Sequence, residues 1–315
     1  MSINDLTSFK SSAPANTMLM GEHSVVYGQP ALVAALTPRI EIEWLPRSDQ
    51  QIEIQSALAH YLSPINPLNP HPNLRFIIET IRLFSTQLQH GWTLKVHSEF
   101  PADWGLGSSA AVLAATLIGL ENITNQTLTP WQRFKLGHSI ILKIQGRGSG
   151  ADLAASLMGG CVYFDPINQT LKSLPVEQTL SLVYSGYKTP TAEVLNWVAE
   201  QWKDRPNGLQ QLYQDMGAIT RKSYQALSEQ NWPQFYQQVA QYQQYMVELG
   251  VSDPRLDQLC EAVNQQLPAA KISGSGLGDC IIGFGQLDNF EQAPLLKTKI
   301  SPIGALCTQM EKPSC

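Results

Sequence analysis

The stretch Pro101-Ala102-Asp103-Trp104-Gly105-Leu106-Gly107-Ser108-Ser109-Ala110-Ala111 decides how this chain is read. Glycines and paired serines lead directly into a small-residue apolar run, Ala110 to Leu120, which predicts a loop opening a buried helix. Glycine lets backbone approach a ligand with no Cβ in the way, and the first amides of a helix are unpaired donors at the positive end of its dipole. Such a junction favours phosphate. The loop is neither G-x-x-x-x-G-K-[ST] nor G-x-G-x-x-G, so the two commonest nucleotide-loop patterns do not account for it. A glycine turn capped by Ser108 ahead of a core helix is the plain alternative, and this stretch alone does not separate the two.

The rest of the composition narrows the field. A chain of 315 residues can bury a large core and favours two domains over one. Charged residues are 15% of the total and the net charge is −5, so there is no basic stripe for nucleic acid. The five cysteines, Cys161, Cys260, Cys280, Cys307 and Cys315, are scattered, odd in number and free of C-x-x-C spacing. Neither a disulfide framework nor a zinc site is expected, and a cytoplasmic protein with reduced thiols is. The most apolar early segment, Thr17 to Leu36, is interrupted by Glu22, His23, Tyr27, Gln29 and Pro30, so no signal peptide or membrane span is expected.

Upstream of the central loop, Ser12 to Met20 reads as a turn and a short apolar strand that ends in Gly21-Glu22-His23, two adjacent ionisable groups at a strand end. Ile40-Glu41-Ile42-Glu43-Trp44 and Gln51-Ile52-Glu53-Ile54 alternate as strands with one wet face, predicting a mainly antiparallel sheet. Four prolines between Ser63 and Pro72 require a loop, and a helix with Phe76, Ile77, Ile81 and Phe84 on one face follows. Downstream, Thr129 and Pro130 mark a helix start.

A second glycine-rich junction, Gly146 to Ser156, places one carboxylate, Asp152, at the start of an alanine-rich segment. Leu180 to Tyr184 reads as a buried strand delivering Lys188-Thr189-Pro190 to a loop, and helices are predicted at 192–203, 208–228, 232–249 and 254–266. The aromatic stretch Trp232 to Tyr245 reads as packing. A third glycine loop, Lys271-Ile272-Ser273-Gly274-Ser275-Gly276-Leu277-Gly278-Asp279-Cys280, precedes the strand Ile281 to Phe284, and a helix around 289–299 and a strand near 303–308 complete the chain. The domain boundary is placed near 178, giving domains of 1–178 and 179–315.

Taken in this order, the three motifs resemble the GHMP kinases, the superfamily of galactokinase, homoserine kinase, mevalonate kinase and phosphomevalonate kinase. Pro101 to Ala111 is similar to the family's P-x-x-x-G-L-G-S-S-A loop, Ala13 to Gly28 to its first motif and Lys271 to Cys280 to its third. The resemblance implies an α+β fold with an N-terminal domain of the ribosomal-S5 type, a C-terminal ferredoxin-like domain, and ATP and a small-molecule acceptor in the cleft between them. A homodimer is common among such relatives. Gly21-Glu22-His23-Ser24-Val25-Val26-Tyr27-Gly28 is most similar to mevalonate kinases, whereas Gly278-Asp279-Cys280 and the segment after Gly148 are more like phosphomevalonate kinases.

The resemblance assigns Gly105, Leu106, Gly107, Ser108, Ser109, Gly274 and Gly276 to ATP, with Mg²⁺ near Ser109. It sets Asp152 against the acceptor hydroxyl and Glu22, His23, Lys188, Thr189 and Asn16 on the substrate side. Two positions depart from the pattern. The first motif carries Asn16 where relatives have an assisting lysine, and Ile141 stands where animal mevalonate kinases have a magnesium-ligating glutamate. Lys188, Arg147 or Lys10 could supply the lost positive charge. The implied reaction is phosphorylation of mevalonate, with phosphomevalonate as the alternative acceptor and a catalytically silent nucleotide- or metabolite-binding relative as a third reading.

Overall fold

Strand β1 (Phe9–Met20) lies beside β2 (Ala31–Arg47), and everything that places the site is attached to this pair. The computed structural model describes residues 7–310. β2 is long enough to serve two neighbours. Its first residues, Ala31 to Ala34, pair with β6 (Cys161–Asp165), and Ile40 to Arg47 pair with β5 (Gly91–Ser98). With β3 (Gln51–Ser56), β4 (Ala59–Pro64), β7 (Thr170–Leu174) and β12 (Leu306–Gln309) this makes an eight-stranded sheet, antiparallel except where β3 meets β5.

Helix α2 (Ser108–Thr124) packs on β1 and β2, flanked by α1 (Arg75–Phe84), α3 (Pro130–Gln145) and α4 (Ala151–Met158). Its apolar residues do not fall on one face, because Ala111, Leu113, Ala115, Leu117 and Leu120 are all buried. Gly119 has a packing reason: a Cβ there would stand 2.6 Å from the Trp44 ring, so only glycine lets helix and strand come this close.

The chain leaves this sheet after β7 and enters a second one at β8 (Thr179–Tyr184). That sheet is antiparallel, in the order β11 (Leu295–Lys299), β8, β10 (Cys280–Phe284), β9 (Ala270–Ser273). Helices α5 (Thr191–Gln201), α6 (Pro206–Ser228), α7 (Trp232–Leu249) and α8 (Pro254–Asn264) accompany it, near the helices expected from periodicity and caps. Phe235, Tyr242 and Met246 of α7 are fully buried, so the aromatic stretch is core. Thr129 forms a full capping box with Gln132, and the Asp253 carboxylate accepts the amides of Arg255 and Leu256. Among the described residues no helix is long and apolar enough to cross a membrane.

One element corrects the sequence reading. Residues 289–299 are not a helix; after a loop, Leu295 to Lys299 form β11, paired with β8. Pro294 stands inside the expected helix, where its ring disfavours helical continuation, and the backbone groups beyond it are satisfied by the β8 edge instead.

Candidate active site

The loops at the ends of both sheets open onto one cavity of about 680 Å³. Gly107, with φ of 67°, is the N-cap of α2, and no side chain caps the helix. Ser108 is therefore not the cap of the plain alternative; its hydroxyl donates instead to the Ala102 carbonyl at 3.3 Å. The first amides of α2 are left without a side-chain acceptor, the condition that makes a helix start receptive to an anion. Gly105, Gly107, Ser108 and Ser109 line the cavity.

Leu106 and Asn16 hold this loop from beneath. The Leu106 side chain is buried, and its carbonyl accepts the Asn16 amide at 3.1 Å. The Asn16 side-chain amide donates to Ser156 Oγ at 2.9 Å, and Ser156 donates to the Pro14 carbonyl at 2.9 Å. A Cβ on Gly107 would fall 2.1 Å from that amide, so the asparagine fills the space under the glycine. Asn16 was expected on the substrate side. It is buried and absent from the cavity wall.

Asp152 sits in the first turn of α4, behind Gly150 in the left-handed conformation, and faces the cavity. Burial pushes its carboxyl up to about 6; Lys188 counters the rise and Asp279 adds to it. Lys188 Nζ stands 3.5 Å from Asp279 Oδ1. Thr189 is turned away from the cavity wall, donating to the Leu277 carbonyl at 2.5 Å. Gly274 lines the cavity. Gly276 does not: a Cβ there would meet the Val251 carbonyl at 2.3 Å, so its glycine lets the loop lie against the α7–α8 connection.

Glu22 and His23 follow the end of β1 at the cavity wall. The Nε2 atom of His23 lies 2.7 Å from the Ser275 carbonyl, which can only accept, so Nε2 carries the proton. Burial lowers the ring's affinity for a second proton, leaving Nδ1 as an unpaired acceptor. Glu22 Oε1 pairs with Lys271 Nζ, with both side chains sealed at 1% and 0% exposure. Burial works against both charges, raising the Glu22 carboxyl and lowering the Lys271 ammonium, and each offsets the cost of the other. Tyr242 completes the arrangement. Its hydroxyl accepts the Gly21 amide at 2.9 Å and donates to the Glu22 carbonyl at 3.1 Å, while its ring lies 5.3 Å from Lys271 Nζ.

The sequence pattern alone does not mark Lys271 and Asp279 as site residues. Lys271 had one available signal, a lone lysine inside an apolar strand, which must find a buried partner. Asp279 had a weaker one, a carboxylate among glycines; its φ of 61° shows that it shares their left-handed geometry.

A helix start open to phosphate, sharing one cavity with a part-buried, elevated carboxyl group, is the arrangement a small-molecule kinase requires. Residues 75–160 match the GHMP kinases N terminal domain and residues 223–300 the GHMP kinases C terminal domain. The chain is 30% identical over 307 residues to the mevalonate kinase of Thermococcus sibiricus, covering 91% of this chain and 92% of that one. The chain belongs to the GHMP kinases, the family read from its three motifs, and has their two-domain α+β fold. L. major mevalonate kinase in complex with R-mevalonate shares that fold at a TM-score of 0.74 and 20% identity, covering 94% of this chain and 96% of that one. Streptococcus pneumoniae phosphomevalonate kinase in complex with phosphomevalonate and AMPPNP does so at 0.74 and 20%, covering 89% and 92%. Use of ATP follows from membership of the family.

Proposed function

We propose that this chain transfers the terminal phosphoryl group of ATP to the 5-hydroxyl of mevalonate, giving 5-phosphomevalonate and ADP. The observation that carries it is the meeting of Asp152 and the uncapped start of α2 on one cavity wall. The hydroxyl oxygen attacks the terminal phosphorus, the bond to the ADP oxygen breaks, and the hydroxyl proton passes to Asp152. A carboxyl group near 6 is a stronger base than an ordinary aspartate yet remains ionised at neutral pH. Amides of the 105–109 loop neutralise the phosphates, and Glu22 and His23, both on the cavity wall, border the acceptor.

Lys188 supplies the positive charge that Asn16 does not, since it lines the cavity and acts on Asp152. Arg147 lies on the same wall with its guanidinium donating to the Ala192 carbonyl at 2.9 Å. Lys10 is bound to Glu41 and Glu43 at 2.7 and 3.4 Å, outside the cavity wall, so its charge is already paired away from the site.

Mg²⁺ fits this wall. Its oxygen donors include the Ser109 hydroxyl, one protein oxygen beside the phosphate loop. That suits an ion that keeps phosphate and water ligands. When bound, it neutralises phosphate charge. The division near residue 178 assigns the nucleotide loop to the first domain, and the buried free thiols Cys161, Cys260 and Cys280 are in keeping with a cytoplasmic location.

A panel of mevalonate, phosphomevalonate, homoserine and galactose, each with ATP and followed by ADP release, tests the assignment. Turnover with mevalonate is expected. Turnover with phosphomevalonate alone would favour the second acceptor, which Gly278-Asp279-Cys280 supports, and nucleotide binding with no turnover would identify a silent relative.

A further inference from the structure

Asp279 is poorly explained as a structural residue. It is 6% exposed, and its backbone is pinned on both sides: its amide donates to the Tyr187 carbonyl at 3.0 Å and its carbonyl accepts the Ser185 amide at 2.9 Å. This holds a non-glycine residue at φ 61°, in the left-handed region that aspartate tolerates better than most side chains. The carboxylate is delivered onto the phosphate loop itself. A Cβ on Gly105 would stand 2.7 Å from its Cγ and 2.8 Å from Oδ1. Oδ1 is buried and accepts no hydrogen bond, and Lys188 Nζ is 3.5 Å away on a side chain that is 39% exposed. A buried carboxylate oxygen with only a distant, part-exposed ammonium for company is costly unless a ligand completes it.

The charge of the wall says what kind of ligand. Asp279, Asp152 and Ser109 line the same cavity, so two carboxylates face the place proposed for a polyanionic triphosphate, with the part-exposed Lys188 beside Asp279. An added cation turns this repulsion into coordination, and hard oxygen donors suit magnesium. Ile141, also on the wall, has no donor to offer.

We infer that Asp279 is a carboxylate ligand of the divalent cation that accompanies ATP, taking over from a third-motif loop the part that Ile141 cannot play. This rests on the phosphotransfer reading above and is tested separately from it. The probe is Mn²⁺ titrated by electron paramagnetic resonance into the full-length protein saturated with a non-hydrolysable ATP analogue, alongside analogue binding measured in excess EDTA. Asp279→Asn keeps the size and tolerates the left-handed backbone; Asp279→Gly removes any strain and guards against misfolding. Both variants are expected to bind Mn²⁺ at least tenfold more weakly in the analogue complex, with metal-free analogue binding unchanged or tighter. Mn²⁺ affinity within twofold of the unaltered protein in both variants would overturn the inference, and with it a weaker acceptor affinity would make Asp279 a positioning residue for Lys188. Failure of the unaltered protein to bind the analogue at all would instead sink the phosphotransfer reading and this inference together.

Discussion

Two groupings of acids with a lysine stand close to each other and are built in opposite ways. Glu22 and Lys271 are sealed from solvent, in contact, and enclosed by Tyr242. Asp152, Asp279 and Lys188 are loosely spaced on a cavity wall, and the lysine is 39% exposed. In the sealed pair the two charges meet through Glu22 Oε1, while Oε2 is buried without a hydrogen bond and closed off from solvent, so the arrangement joins the chain after β1 to β9 and fixes the direction in which His23 is presented. In the open group one base is held at about 6 and one carboxylate oxygen has no donor, so charge remains available to a ligand. What separates the two is access: enclosure makes structure of one grouping, and an exposed lysine on a cavity wall makes a site of the other.

The contrast can be broken most forcefully at Asp152. Asp152→Asn should lower kcat by about 10²- to 10⁴-fold, the usual contribution of a positioned base, with analogue binding little changed. It should also stabilise the protein. The folded carboxyl titrates near 6 against an ordinary 3.8, so the folded state holds the extra proton between these values. Stability from this group therefore falls as pH rises from about 3.8 to about 6 and stays reduced above it. Removing the charge should return about 1 to 3 kcal/mol in urea denaturation at pH 7.5. Near-normal turnover in this variant would refute the assignment of Asp152.

Lys271→Met should act in the other direction, on folding. It leaves Glu22 charged and unpartnered in the interior, at a cost of about 3 to 5 kcal/mol, and adding Glu22→Gln should recover a large part. A loss below about 1 kcal/mol by denaturant titration would put the pair with ordinary surface bridges and erase the distinction.

The smallest effect is expected at Lys188. Wild-type kcat should rise with pH through about 6 as Asp152 ionises. In Lys188→Met, where the stabilising cation is gone, that limb should move to higher pH by less than about one unit, with little change in global stability. An unmoved limb in the pH–rate profile would remove Lys188 from the base's surroundings.

Legibility in the sequence followed the range of the interactions involved. Thr129-Pro130 and Asp253-Pro254 announce helices because a cap and its amides lie within three residues of each other. The three glycine loops were visible for a similar reason. Their backbone needs are local, and their order along the chain identified the family. β11 was missed because its hydrogen bonds go to β8, more than a hundred residues away, and nothing within 295–299 states that partner. Asn16 shows the limit within a motif: its position was recognisable, yet its direction, under Gly107 and toward Ser156, is set by α4. Lys271 and Asp279 likewise depend on what faces them across the cleft, Glu22 in one case and Gly105 in the other.

The last described strand has a consequence for any attempt to divide the molecule. Because β12 returns to pair with β1, the polypeptide passes between the sheets twice, at 174–179 and at 299–306. A fragment cut at 178 would forfeit that strand and leave a row of unpaired amides and carbonyls along β1, an invitation to self-association. The halves are thus joined twice by the chain, and a buried cluster shared by both sheets, with Leu32 and Leu36 from one and Leu182 and Ile282 from the other, ties them further.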